Sequence, residues 1–129
     1  MRTIKNIKIL LASLLIFFTG SVRAEWIQIS SNDDVIFFID YSTIRKEGNF
    51  RKVWELQNLK KRHESGALSF RGRYEYDCKQ ERNRNLSMSS HSERFAGGAV
   101  ILAVDIVGDW QEIPPDTTAS KYFKAACSK

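Results

Sequence analysis

The chain has 129 residues, and its 43% hydrophobic and 12% aromatic content excludes an intrinsically disordered polypeptide. Its formal net charge is +5, but four basic residues and no acidic ones lie within residues 1–24. Residues 25–129 carry 16 basic and 15 acidic side chains, a net charge of +1. A globally basic nucleic-acid binder is therefore excluded as the default interpretation, and the length allows one domain, residues 25–129.

Residues 1–24 have the pattern of a secretory signal peptide. The positively charged start consists of Arg2, Lys5 and Lys8. The apolar run that follows, residues 9–18, contains one polar residue, Ser13, and is shorter than the roughly 20 residues that a membrane-spanning helix needs. Val22 and Ala24 are the small residues of a cleavage site, so the mature protein is expected to begin at Glu25. We therefore expect a periplasmic, secreted or cell-surface protein with no transmembrane segment in its mature chain.

The mature region predicts a series of short strands separated by turns rich in Gly, Asn and Ser. The predicted strands are residues 26–29, 35–41, 50–56, 69–78, 85–95 and 99–107. The clearest is 69–78, in which Tyr74, Tyr76 and Cys78 occupy even positions while Arg71 and Arg73 occupy odd ones. Strict alternation is typical of a half-buried antiparallel strand. It predicts that Cys78 points to the core and that the side chains on the other face, Arg71, Arg73, Glu75 and Asp77, point to solvent.

The last element is predicted to be a helix that Asp116 or Thr117 can cap. Beyond the cap, one apolar stripe at helical spacing is formed by Ala119, Tyr122, Phe123, Ala126 and Cys127. Cys127 therefore lies on the helix face that must find a core, just as Cys78 lies on the strand face that builds one. The two periodicities direct the two sulfur atoms toward each other.

Cys78 and Cys127 are the only cysteines of the sequence, and an even number in an exported protein favours one disulfide. The alternatives are a metal site, which would need clustered ligands, or a reactive thiol. His63 and His91 are isolated, and we expect neither metal nor cofactor. The sequence thus predicts an α+β fold, an antiparallel sheet of about six strands with a C-terminal helix packed on it and linked by one disulfide.

Two predicted strands, 35–41 and 99–107, carry apolar residues on both faces. A single helix covers only part of one face of a sheet. Either the sheet curls, or a second copy of the chain covers its other face. A homodimer is therefore a possible state, and the sequence leaves both possibilities open.

The charge is unevenly distributed along the mature chain. Residues 25–44 have a net charge of −4, residues 45–94 of +6 and residues 95–129 of −1. The candidate binding strip within the basic segment consists of Lys60, Lys61, Arg62, Arg71, Arg73, Arg82 and Arg84. Such residues form either an ordinary solvated face or a docking site for acidic protein segments or sulfated polysaccharide. Nucleic acid is not expected as a partner of an exported chain.

No catalytic motif is recognisable. No serine has the surroundings of a nucleophile elbow, and His63 and His91 lack a motif partner. Asp33 and Asp34 stand in a turn cluster, where paired acids form turns more often than they act as general acid and base. We therefore expect a protein that is not an enzyme, with a hydrolase as the least favoured alternative.

Several features follow one another in a distinctive order and spacing. They are Trp26, the aromatic strand ending in Asp40, Ser42 and Ile44 before a turn, the strand into Cys78, Gly97–Gly98, Trp110, Pro115–Thr118 and Cys127. This layout resembles the surface-adhesin protein E-like domains of Gram-negative bacteria, over nearly all of residues 26–128. The resemblance implies dimerisation and binding of host extracellular-matrix and serum proteins such as laminin and vitronectin. It also implies a basic binding segment before the first cysteine, where Lys61 and Arg62 stand here.

Two other function classes compete with adhesion. One is a structural periplasmic or envelope protein whose partner is another bacterial protein. The other is an inhibitor of a host enzyme such as lysozyme, which would need an acidic loop that reaches a basic active site. Asp33 and Asp34 are the candidates for that loop.

Overall fold

The structure is a computed structural model that describes residues 23–129, so the predicted signal peptide lies outside the described residues except for its last two. The elements are β1 Ile27–Ser31, β2 Val35–Glu47, β3 Phe50–Leu59, β4 Ser69–Asp77, β5 Arg82–Glu93, β6 Gly97–Val104, β7 Gln111–Glu112 and α1 Thr118–Cys127. The first six strands form one antiparallel sheet in chain order, and the short β7 pairs with the start of β5. The predicted α+β fold with a six-stranded sheet is confirmed, and β7 is an addition to it.

The β2–β3 hairpin is longer than the sequence pattern predicted. Gly48 forms its turn with a φ of 59°, as its position between two strands suggested. The register shifts between Asp40 and Arg45, and the strands then pair again as far as Glu47 opposite Phe50. The charged residues before the turn therefore belong to β2, because a bulge allows pairing to continue beyond the apolar part of the strand.

The main core lies between one face of the sheet and the helix. Its buried residues are Ile39, Val53, Tyr76, Tyr122 and Ala126. The Tyr122 hydroxyl donates a 2.9 Å hydrogen bond to the carbonyl oxygen of Phe38, so the polar end of this buried ring is satisfied. Thr117 caps the helix, since its hydroxyl accepts from the backbone N–H of Ser120 at 3.2 Å. This contact confirms one of the two predicted caps.

A disulfide links Cys78 to Cys127, and their Cα atoms lie 5.7 Å apart. Cys78 follows β4 and Cys127 ends α1. The bond therefore ties the helix to the sheet, as the two periodicities predicted.

The second face of the sheet is partly covered, which corrects the prediction that the odd positions of β4 point to solvent. Glu75 and Asp77 are only 5% and 2% exposed. Both acids form ion pairs. Glu75 Oε1 lies 2.6 Å from Arg84 Nη2, and Asp77 Oδ2 lies 3.0 Å from Arg82 Nε. The Trp110 ring covers both arginines, with centroid distances of 4.3 Å to Arg84 and 4.7 Å to Arg82. The prediction fails here because the segment that precedes β7 lays Trp110 over this end of the sheet.

The strands predicted to be apolar on both faces have different environments. In β2, Ile39 packs beneath the helix, while Phe38 contacts Phe95 on the second face at a ring-centroid distance of 5.3 Å. Both faces of β2 are therefore covered within one chain. In the edge strand β6, Val100, Ile101 and Leu102 are 60%, 40% and 60% exposed. The sequence argument for a second copy thus applies to β6 alone.

Candidate binding surface

The first part of the predicted strip lies in the loop between β3 and β4. The backbone N–H of Lys60 donates to the carbonyl oxygen of Asp34 at 2.9 Å, which holds this loop beside the β1–β2 turn. A cleft of about 610 Å³ opens there, lined by Asp33, Asp34, Val35, Leu59, Lys60, Lys61, Arg62, His63 and Glu64. The two aspartates and the basic run, which the sequence suggested for different functions, therefore face one cleft.

Arg62 anchors the loop to the end of β5. Its Nη1 donates to the carbonyl oxygens of Gly66 at 2.8 Å and Ser92 at 2.6 Å. Its Nη2 lies 3.9 Å from Glu93 Oε1. Lys60 and Lys61 are exposed, and neither forms an ion pair within residues 23–129. The two lysines are therefore the available cations of this loop.

A further cation, Arg94, joins this loop although it was not among the predicted site residues. Its Nε donates to the carbonyl oxygen of Leu59 at 3.1 Å, and its Nη2 donates to that of Lys60 at 3.2 Å. Arg94 follows β5, so only the pairing of β5 with β4 and of β4 with β3 brings it here. In the sequence, the only indication of this position was that Arg94 belongs to the basic segment, residues 45–94. We call Lys60, Lys61, Arg62 and Arg94 the basic loop.

Arg71 and Arg73 lie on the second face of the sheet. The Arg71 guanidinium lies 5.1 Å from the ring centroid of Trp54, and Arg73 is the cross-strand partner of Trp54. The buried His91 is close by, and its Nε2 lies 2.8 Å from the hydroxyl oxygen of Ser89. Burial, together with the charge of Arg71, lowers the pKa of His91. This histidine is therefore neutral at pH 7, and the positive charge here belongs to the arginines.

Arg82 and Arg84 lie at the opposite end of β4 from the basic loop. They pair in register with Asp77 and Glu75, whereas Ser69 at the start of β4 adjoins the loop. Asp77 lies eight positions after Ser69 along the extended strand, a distance of about 26 Å. The seven predicted residues thus fall into three groups along the sheet, and the acids of β4 neutralise the group at the far end.

Glu55, a buried acid whose pKa is raised, lies away from these groups. It is buried beneath the helix, where the Tyr76 hydroxyl donates to its Oε2. Burial raises the pKa of Glu55 to about 8. The hydrogen bond from Tyr76 acts to lower this pKa, but its effect is smaller than that of burial. Within residues 23–129, no three His, Cys, Asp or Glu side chains are grouped so that they could hold a metal ion.

The family model for surface-adhesin protein E matches residues 26–128. The chain belongs to the surface-adhesin protein E family. The match spans the sheet, the helix and both cysteines, which confirms the resemblance that the sequence showed. The family match supports an adhesin-like protein that is secreted or located at the cell surface.

Solved structures of Haemophilus influenzae protein E share the fold of this family member. Crystal form II superimposes with a TM-score of 0.64 at 18% identity, over 83% of this chain and 90% of that one. Another structure of that protein gives 0.63 at 18% identity, over 83% and 86%. Protein E from non-typeable Haemophilus influenzae gives 0.55 at 18% identity, over 84% and 79%. Likeness at this identity shows the fold alone.

No curated protein matches the sequence. Among the helices of residues 23–129, none is both long and apolar enough to cross a membrane.

Proposed function

We propose that this family member is an exported, non-enzymatic adhesin that binds host extracellular-matrix or serum proteins through the basic loop. The observation that carries the proposal is the exposure of Lys60 and Lys61 at the 610 Å³ cleft. Laminin-like and vitronectin-like proteins are the partner class, and sulfated polysaccharide offers the same anionic chemistry. Cleavage after Ala24 would release the domain to the periplasm, the medium or the cell surface.

The construction of the basic loop suits this task. Arg62 and Arg94 use their guanidinium groups to hold backbone carbonyl oxygens of the loop and of the ends of β3 and β5. The two lysines therefore project from a fixed backbone, which lowers the entropy lost when they bind a ligand. Asp33 and Asp34 line the other side of the same cleft. They would repel a misplaced acidic segment and so favour one orientation of the partner.

The proposal is tested by reversing the two available charges. Lys60→Glu combined with Lys61→Glu should weaken binding to immobilised laminin, vitronectin or heparin by about tenfold or more, measured by surface plasmon resonance. Because exposed charges are screened, binding of the unchanged protein should also fall between low and physiological salt, and that dependence should shrink in the variant.

Arg45→Glu combined with Lys46→Glu is the matched control. These two residues are exposed and lie at the opposite end of the β2–β3 hairpin, and replacing them changes the net charge by the same amount as the Lys60 and Lys61 substitutions do. Binding that is lost equally in both variants would indicate a nonspecific charge effect. Binding that is retained in the Lys60 and Lys61 variant would remove the basic loop from the function.

We also propose that two copies of the chain pair through their β6 strands. The proposal is supported by the exposed apolar side chains of Val100, Ile101 and Leu102 and by the free edge of β6 in the sheet. No charged residue occurs between Gly97 and Val104, so antiparallel pairing of two β6 strands brings no like charges together. A long apolar edge strand is also a feature that monomeric proteins usually avoid.

A further inference from the structure

The backbone nitrogen of Glu25 lies 3.2 Å from Oδ2 of the Asp40 carboxylate. Asp40 belongs to β2 and is only 2% exposed. Its other oxygen, Oδ1, accepts from the backbone N–H of Ser42 at 3.0 Å and from the Ser42 hydroxyl at 2.5 Å. Within residues 23–129, every hydrogen-bond donor to this buried carboxylate is thus a neutral group.

Glu25 is also the residue expected to become the first of the mature protein. Hydrolysis of the Ala24–Glu25 peptide bond consumes one water molecule, leaves a carboxylate on Ala24 and converts the Glu25 amide nitrogen into a primary amine. At neutral pH that amine is largely protonated, because its ordinary pKa is about 7.7–8.0. Processing would therefore create a positive charge at the atom that already contacts Asp40.

We propose that processing at the Ala24–Glu25 bond creates an α-ammonium group that forms an ion pair with Asp40 and fixes the new N-terminus on the second face of the sheet. The proposal rests on the cleavage site proposed above and does not depend on adhesion. It assigns Asp40 as the acceptor of the processed terminus. The mature protein is then more stable than its precursor.

The surroundings of Asp40 favour this pair. A cavity of about 190 Å³ beside it is lined by Ala24, Trp26, Asp40, Thr43, Trp54 and Arg71. The Arg71 guanidinium stacks on Trp54 and forms no ion pair with Asp40 within the described residues. A buried carboxylate without a cationic partner is costly, and a charge-assisted hydrogen bond is about twice as strong as a neutral one. The new ammonium group would thus supply the partner that Arg71 does not.

A double-mutant cycle tests the pair. Chains that begin at Glu25 are prepared by cleavage of a fusion partner that leaves no extra residue, with the α-amine either free or acetylated, and each form is made with Asp40 and with Asp40→Asn. With Asp40 present, we expect the unfolding equilibrium constant to be about tenfold lower for the chain with the free α-amine. In the Asp40→Asn background this advantage should disappear. An advantage that persists with Asp40→Asn, or that is absent with Asp40, overturns the ion pair.

A second measurement remains decisive if Asp40→Asn does not fold. The α-amine of the chain that begins at Glu25 is labelled by ¹³C-dimethylation and titrated by NMR. Pairing with Asp40 should raise its midpoint by about one pH unit or more above the ordinary range. Arg71 is the other charged group that lines the cavity, and its positive charge acts in the opposite direction. A midpoint within the ordinary range contradicts the pair.

The processing step is tested separately from the ion pair. The intact mass of the protein exported by a bacterial host should correspond to a chain that begins at Glu25. A different first residue overturns the processing step, whatever the cycle shows. The expected mass without coupling in the cycle overturns the ion pair while leaving the cleavage site intact.

Discussion

The Tyr76 hydroxyl donates a hydrogen bond to Glu55 beneath helix α1, at a point where both residues are almost completely buried. Burial raises the pKa of Glu55 to about 8, so that the carboxyl group is mostly protonated at pH 7. Glu55 and Tyr76 face the helix from neighbouring strands, and Tyr74 lines the same small cavity. The core of this domain therefore contains an acid that folding holds in its neutral form.

This acid makes stability dependent on pH. The pKa of Glu55 in the folded protein, about 8, lies above its ordinary value of 4.5, so between these values the folded state holds a proton that the unfolded state has released. Glu55 should therefore lower the free energy of unfolding by a few kcal/mol at most as the pH rises from about 5 to about 8. His91, whose pKa is lowered on folding, acts in the opposite direction below its ordinary pKa of 6.5. Glu55→Gln is neutral throughout and should flatten this dependence, as urea midpoints measured across the range would show.

Glu47→Gln is the matched control, because the Glu47 side chain is 64% exposed. It should keep the pH dependence of the unchanged protein. Asp77 contributes to the pH dependence of stability outside the range in which Glu55 acts. Burial acts to raise the pKa of Asp77, but hydrogen bonds from Gln80, Arg82 and Lys79 outweigh it and lower the value, so its contribution is lost only in acid. If the free energy of unfolding depended on pH equally in Glu55→Gln and in the unchanged protein, the role of Glu55 would be contradicted.

The disulfide should contribute strongly to the stability of the helix on the sheet. Cys78 and Cys127 are 49 residues apart in sequence, and closing a loop of that size is worth about 4 kcal/mol in the chain-entropy model. Cys78→Ser combined with Cys127→Ser should lower the free energy of unfolding by about that amount, measured with guanidinium chloride. Reductant should destabilise the unchanged protein similarly and leave the double variant unaffected. If reductant destabilised both proteins equally, the loss of stability would not come from the disulfide.

Trp110 should stabilise the end of the sheet opposite the basic loop. Its ring lies against both Arg82 and Arg84, and its centroid is 5.8 Å from that of Phe50. Trp110→Ala should lower the free energy of unfolding by about 2 kcal/mol through lost cation–π and aromatic contacts. Trp110→Phe should retain much of this stability, because an aromatic face remains. Chemical denaturation of the two variants checks this, and equal destabilisation by both would exclude the cation–π contribution.

Much of the fold could be predicted because the sequence patterns are local. The alternation that ends in Cys78 and the helical stripe that ends in Cys127 each fix the direction of one sulfur atom, and both were correct. Gly48 and Thr117 likewise mark a turn and a cap through their own backbone geometry. Such features depend on a few neighbouring residues, and therefore one sequence is sufficient to locate them.

The candidate site was predictable only in part because its environment depends on contacts between distant segments. Lys60 and Lys61 are exposed as a basic run in a loop suggests. The pairing of Arg84 with Glu75 and the placement of Trp110 over it follow from strand register and from the path of the chain after β6. Alternation alone assigned Glu75 to a solvent-facing position. A period of two identifies a face of a strand, but it does not reveal what another segment places on that face.

The proposed pairing through β6 predicts a change in molecular mass. Val100 and Leu102 are both 60% exposed on the edge strand, so Val100→Lys combined with Leu102→Lys should separate the two copies by charge repulsion and loss of apolar contact. Light scattering at micromolar concentration should give the mass of two chains for the unchanged protein and of one chain for the variant. Ile27→Lys is the control, because Ile27 is 50% exposed and lies on β1 at the other edge of the sheet. A single-chain mass for the unchanged protein, or dissociation caused by Ile27→Lys alone, would contradict pairing through β6.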